Sequence, residues 1–128
     1  MTYEELMQKA IEVSKNSYSP YSKFAVGACV LAESGAVYQG CNFENGSIGL
    51  SICAERNAIG SAIANGEKRI KAIAIYSPNQ DKCFPCGACR QVIHEFCETD
   101  EGFDVIVKDR DNIKVYTLAA LLPESFTL

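Results

Sequence analysis

Two cysteine-bearing segments, "ICAERNAIG" at residues 52–60 and "FPCGACRQVI" at 84–93, each open a helical pattern. Cys53 stands at the predicted N-terminus of the first helix. Cys86 and Cys89, written Pro-Cys-x-x-Cys, stand at that of the second. The three sulfurs can meet if the helices are neighbours and begin at the same end of a sheet. Helix N-termini present free N–H groups and a positive dipole end. Both lower a thiol's pKa and favour thiolate, the metal-binding form.

Three thiolates with one position left for water describe an open zinc site, whereas a closed structural site wants a fourth protein ligand. Glu55 follows Cys53 by two residues, so on a helix it points elsewhere than the sulfur. It can reach water on the open position, take its proton and deliver it to a substrate, which is general acid–base work. Three thiolates leave zinc net negative. Arg56 and Arg90 follow the cysteines closely, and one or both could hydrogen-bond the sulfurs and draw charge off them; the alternative is two solvated helix residues.

Other readings of the cysteines stay open on residues alone. A single Cys-x-x-Cys occurs in redox sites, in structural zinc sites and by chance. "CFPCGAC" resembles part of an iron–sulfur run, but position 93 is Ile where a further cysteine is expected. A four-thiolate structural zinc from Cys53, Cys83, Cys86 and Cys89 is the stronger rival, and it leaves Glu55 without a task. Cys29, Cys41, Cys83 and Cys97 otherwise read as packing thiols. His94 reads as a surface or satisfied helix residue rather than a ligand.

The remaining pattern supplies a sheet for the helices. Thr2 and Glu5 form a capping box that opens a helix over about 3–15, with Leu6, Ala10 and Val13 on its buried face. Residues 25–32 and 36–42 read as a hairpin turning at Glu33–Gly35, and small residues Ala25, Gly27 and Ala28 imply close packing on its first arm. A glycine-rich loop leads to a helix over about 53–65, stopped at Asn65–Gly66. "IKAIAIYS" is a buried strand, a helix runs from Cys86 to Cys97, and "FDVIVK" and "IKVYT" are strands about the turn "DRDN". Thr117 caps a last helical turn ending at Pro123. The expectation is a single domain over 1–128, an α/β fold of three α/β/α layers on a five-stranded mixed sheet.

Bulk properties narrow the partners. Net charge is -4 and the 12 basic residues are scattered, which argues against nucleic acid and suits a neutral or cationic small ligand. No apolar stretch is long enough to cross a bilayer, and "MTYEELMQKA" lacks a signal-peptide profile, so the expected location is the cytoplasm, with no membrane partner. In that reducing compartment seven cysteines are not expected to be a disulfide set.

The pattern Cys53-Ala54-Glu55 with Pro85-Cys86-Gly87-Ala88-Cys89 is similar to the three-cysteine form of the zinc deaminases. More narrowly, the chain resembles the short, three-cysteine, homotetrameric cytidine deaminases. "YSPYSKFAVGA", "GCNFEN", "CAERNAI", "PCGACRQV" and "LLPESF" carry the likeness over nearly the whole chain. The resemblance implies one zinc per subunit held by Cys53, Cys86 and Cys89, with Glu55 as proton shuttle. It implies that Asn42 and Glu44 bind the ribose and that Phe24 packs near the pyrimidine. The N–H of Ala54 and the carbonyl of Cys86 would address the base. Phe126 would stack on the base in a neighbouring subunit's pocket, and residues 47–50 would approach an adjacent ligand. Gly46 and Ile48 stand where the family has Ala and commonly Tyr, which removes a hydroxyl from that loop. The implied reaction is hydrolytic deamination of cytidine and 2'-deoxycytidine to uridine and 2'-deoxyuridine, with zinc supplying hydroxide to the amino-bearing ring carbon. The alternatives are deamination of a cytosine nucleoside antibiotic such as blasticidin S, and a non-catalytic zinc-stabilised module.

Overall fold

The computed structural model describes residues 1–128. Helix α1 (Tyr3–Ser14) begins with the expected capping box: Glu5 N–H donates to Thr2 Oγ1 (3.1 Å) and Thr2 N–H donates to Glu5 Oε1 (3.0 Å). Its buried stripe is Leu6, Met7, Ala10 and Ser14, while Val13 is only half-buried. The hairpin follows as β1 (Gly27–Ala32) and β2 (Val37–Cys41). Its first arm starts two residues later than the pattern suggests. The reason is local: Ala25 N–H donates to Asn79 Oδ1 (2.9 Å) and Val26 N–H to Asn42 Oδ1 (3.0 Å), so side chains take the donors a ladder would use.

The glycine-rich segment contains a 3-10 turn, Ile48–Leu50, and delivers the chain to α2 (Ala54–Ala64). Asn65 ends that helix and Gly66 turns the chain at φ +93°, a left-handed conformation that glycine adopts without strain. Then come β3 (Ile70–Tyr76), α3 (Gly87–Phe96), β4 (Asp104–Asp109), β5 (Asn112–Thr117) and the short α4 (Leu118–Leu121). Thr117 caps α4 through Oγ1, which accepts from the Ala120 N–H (3.2 Å).

The five strands lie in the order β2-β1-β3-β4-β5. Only β3 and β4 run parallel, with Ile73 opposite Val105 and Ile75 opposite Val107. Every other neighbouring pair is antiparallel. Alternation along β3 and β4 divides the core between the faces. Ile73, Ile75, Val105 and Val107 pack with α2, α3 and α4. Ala72, Ala74 and Ile106 pack with Leu6, Met7 and Ala10 of α1. The small residues on the α1 face let its larger side chains settle against the sheet. The result is the three-layer α/β/α arrangement on a five-stranded mixed sheet.

Two glycines allow helices to lie directly on strands. A Cβ on Gly27 would collide with the backbone of Ala10 and Ser14 in α1. A Cβ on Gly40 would collide with the backbone of Ala54 and Ala58 at the start of α2. The connections then fix where the cysteines go. A short link joins the end of α2 to the start of β3, so α2, which packs on β2 and β1, runs antiparallel to β3 and begins at the end of the sheet where that strand finishes. Helix α3 departs from that same end and returns to start the parallel strand β4. Both helix N-termini therefore lie together.

Candidate metal centre

Cys53 is the N-cap of α2 and Cys86 the N-cap of α3, while Cys89 sits in the first turn of α3. Sγ of Cys53 and Cys86 lie 3.9 Å apart, and Sγ of Cys86 and Cys89 3.5 Å. All three sulfurs fall within 4.8 Å of one another. Four ligands at a Zn–S distance of about 2.3 Å in a tetrahedron require sulfurs roughly 3.8 Å apart, so the trio fits zinc. Cys83 is not part of the cluster. The four-thiolate arrangement is therefore absent, and with it the structural basis for a purely stabilising zinc.

The sulfurs differ in how readily they ionise. The Cys89 thiol and the Arg56 guanidinium hydrogen-bond Cys53 and bring its pKa down to about 5 against the effect of burial. The same bond to Cys53, together with burial, pushes Cys89 up. Arg56 Nη2 donates to Cys53 Sγ at 3.5 Å. Its Nε is buried with no partner, a cost accepted where the guanidinium is held against the sulfurs. Arg90 does something else. Its Nε donates to the Pro85 carbonyl (2.7 Å) and its Nη1 to the Leu121 carbonyl (2.6 Å), tying the start of α3 to the end of α4. The contact with sulfur expected of one or both arginines is made by Arg56 and not by Arg90, because Arg90 is turned towards α4.

A cavity of about 380 Å³ opens beside the cluster. Its lining brings Cys53, Ala54, Glu55 and Cys86 together with Cys83 and Phe84 and with Ser22, Phe24, Val26, Asn42 and Glu44. A separate recess of about 310 Å³, bordered by Glu33, Lys71 and Glu98, shares no residue with it. Glu55 is only 5% exposed. Burial, with the nearby Cys53 charge adding to it, pushes its carboxyl up to about 7, in the range suited to proton exchange near neutrality. A dication on the sulfurs pulls in the opposite direction.

The other expected site residues divide into two groups. Ala54 is the first residue of α2, where an N–H has no intrahelical acceptor. The Cys86 carbonyl accepts from the Arg90 N–H (2.9 Å) and keeps a second lone pair. Asn42 accepts at Oδ1 from Ser17 Oγ and from the Val26 N–H, and donates from Nδ2 to the Phe24 carbonyl (2.8 Å), which fixes the Phe24 loop. Glu44 accepts from the N–H groups of Tyr21 and Ser22 (3.0 and 3.1 Å) and from the Ser22 hydroxyl. The Ser22 hydroxyl bond, foremost, and these N–H bonds hold Glu44 below the ordinary carboxylate range. Ser22 Oγ also accepts from the Phe24 N–H (3.0 Å). Sequence reasoning missed Ser22, since nothing in "YSKF" distinguishes it from a solvated loop serine. Cys83 packs in the core, as a packing thiol should, and also lines the cavity. Phe126 lies outside the cavity of its own chain, with 67% of its surface exposed.

The comparisons with known proteins agree with this geometry. The family model described as "Cytidine and deoxycytidylate deaminase zinc-binding region" matches residues 1–101. The chain is 40% identical over 127 residues to a cytidine deaminase of Sporosarcina psychrophila, covering 99% of this chain and 93% of that protein. It is 39% identical to one of Halalkalibacterium halodurans, covering 99% and 96%. Among solved structures, the cytidine deaminase of Burkholderia pseudomallei superposes with a TM-score of 0.90 at 38% identity, covering 98% of this chain and all (100%) of that one. No helix is long and apolar enough to cross a membrane.

Proposed function

We propose a reaction for this chain from one premise: it belongs to the cytidine and deoxycytidylate deaminase family. The reaction is hydrolytic deamination of cytidine and 2'-deoxycytidine, in which water enters and ammonia leaves to give uridine or 2'-deoxyuridine. The chain acts as one domain, in the cytoplasm, with its pockets shared between copies in a homotetramer.

Cys53, Cys86 and Cys89 would hold a zinc ion, which would lower the pKa of water and so supply a nucleophile for the amino-bearing ring carbon near neutral pH. The protein's own groups do the rest. Glu55 takes the proton from water and delivers it to the adjacent ring nitrogen, which makes the carbon electrophilic. It then takes the remaining proton of the added hydroxyl and passes it to the departing amine, which leaves as ammonia while the carbonyl forms. Its burial keeps bulk water from competing for that proton. The Ala54 N–H and the Cys86 carbonyl offer a donor and an acceptor that match cytosine's polar edge, and a wrong base would leave them unpaired. Asn42 and Glu44 receive the ribose hydroxyls, while Phe24 packs near the pyrimidine.

A nucleoside suits this cavity better than a nucleotide. Its lining contains no lysine or arginine, and Glu44 is held ionised by three donors. A phosphate on the sugar would meet the Glu44 carboxylate in the cavity wall, where the one cation acting on it, Lys23, lies outside the lining. The observation that carries the reading is a buried carboxyl, Glu55, in one cavity with two of three clustered sulfurs. The test pairs metal analysis with the absorbance change from cytidine to uridine, for the native chain and Glu55→Gln. The expected result is one zinc per chain in both, with turnover reduced by about 10²–10⁴-fold in the variant. Turnover that survives the substitution removes Glu55 from the chemistry. Faster turnover of deoxycytidylate than of cytidine would overturn the nucleoside preference.

A further inference from the structure

Beyond α4 the chain has no helix or strand, yet it is tied down by side chains. Gln91 Nε2 donates to the Phe126 carbonyl (3.0 Å). His94, one helical turn further along α3, lies 2.8 Å from Thr127 Oγ1 through Nε2 and 2.7 Å from Asp100 Oδ1 through Nδ1. Ser125 Oγ donates to Asp100 Oδ2 (2.8 Å). A carboxylate only accepts, so the imidazole carries a proton on Nδ1, and the Thr127 hydroxyl, which can donate or accept, meets Nε2. Asp100 is itself anchored, because its carbonyl accepts from the Ala119 N–H (3.1 Å).

The grips fall on Ser125 and Thr127, the residues either side of Phe126. Side-chain bonds on both neighbours restrain the backbone that carries Phe126. The ring itself stands 67% exposed, the opposite of what an unconstrained aromatic ring favours.

We propose that His94, with Asp100, is a positioning residue that fixes the C-terminal segment so that Phe126 is held ready for a second copy's pocket. The proposal rests on the shared-pocket reading above. It adds the device that orders the segment before association, so that docking does not have to restrain a free tail.

The test is a double-mutant cycle on the full-length zinc enzyme, comparing His94→Ala, Phe126→Ala and the pair. Base–aromatic stacking predicts that Phe126→Ala lowers kcat/KM about 10-fold or more, mainly through KM. His94→Ala should lower it several-fold in the same manner, with kcat less affected. The pair should be no worse than Phe126→Ala alone, because His94 acts only through that ring. Thr127→Val releases the tail while leaving the His94–Asp100 bond, and should reproduce His94→Ala even if the latter folds poorly. Effects that multiply in the double variant overturn the proposal, since His94 would then act elsewhere. So does an unchanged kcat/KM in both His94→Ala and Thr127→Val while Phe126→Ala is impaired. If Phe126→Ala is itself unimpaired, the shared-pocket reading fails and takes the clasp with it. His94, Cys97 and Asp100 also lie within 4.8 Å of one another. A second zinc per chain, lost in His94→Ala, would make them a metal site and end the proposal.

Discussion

Arg56 is the one basic side chain whose hydrogen bond reaches a sulfur, at 3.5 Å from Cys53. It favours the ionised thiolate and offsets the negative charge of three such ligands. Replacing it with Ala should leave one zinc bound but lower kcat about 10-fold or more, as for other residues that support metal ligands. With the cation gone, groups in the cavity hold protons more tightly, so the acidic limb of the kcat/KM–pH profile should move to higher pH. A profile that does not move assigns Arg56 to packing. Ser22→Ala tests the sugar side: Glu44 loses a donor and the Phe24 N–H an acceptor, so KM for cytidine should rise several-fold with kcat little changed. That Cys53, Cys86 and Cys89 could meet was legible in the sequence because they mark where two helices begin, whereas the task proposed for Glu55 came from the resemblance to the zinc deaminases. The paths of the two arginines were not legible. Each stands one residue after a key residue in its motif, and only the packing of α4 draws Arg90 towards the Leu121 carbonyl. Ser22 was hidden for a similar reason, since its partner Glu44 lies 22 residues away.

At the scale of elements, local rules carried most of the reading. Capping at Thr2 and Thr117, the stop at Asn65–Gly66 and alternation in the strands each depend on a few neighbouring residues. Strand order does not, because alternation marks a buried face without naming the neighbour across it. The helix–sheet contacts set the site's precision. Gly40→Ala should push α2 off β2, where the new Cβ meets the backbone of Ala54 and Ala58, on either side of Glu55 and Arg56. The expected cost is about 1–3 kcal/mol, read by denaturant unfolding, with faster zinc loss to a chelator. On the other face, Tyr3 Oη donates to Asp104 Oδ2 at 2.6 Å and binds α1 to β4. Burial first, and this bond second, push the Tyr3 hydroxyl up to about 12. A folded-state pKa raised above the ordinary value near 10 gives stability that is whole below pH 10 and is lost as pH rises through 12. Tyr3→Phe should flatten that alkaline loss, and an identical slope in the variant would remove Tyr3 from it.

The molecule as a whole exposes Phe43, Ile48, Leu50 and Phe126 at 44%, 67%, 65% and 67%. Three of these lie between Asn42 and the start of α2, and the fourth lies in the C-terminal segment beyond α4. Where exposed apolar side chains gather into one patch, they mark a surface that another protein covers. The shared-pocket proposal names that protein as a second copy, and it makes a demand that a self-sufficient chain does not. Chains carrying Phe126→Ala keep Glu55 but lack the stacking ring. Chains carrying Glu55→Gln keep the ring but lack the proton shuttle. Unfolded together and refolded as a 1:1 mixture, they form some pockets that take Glu55 from one chain and Phe126 from the other. Random pairing completes about a quarter of all pockets, so kcat/KM should recover towards a quarter of the native value at that mixing ratio. If each chain supplied its own Phe126, no mixture could exceed the average of its two parents. Activity that follows the average at every ratio would therefore return Phe126 to its own chain, and the exposed apolar surface would need another explanation.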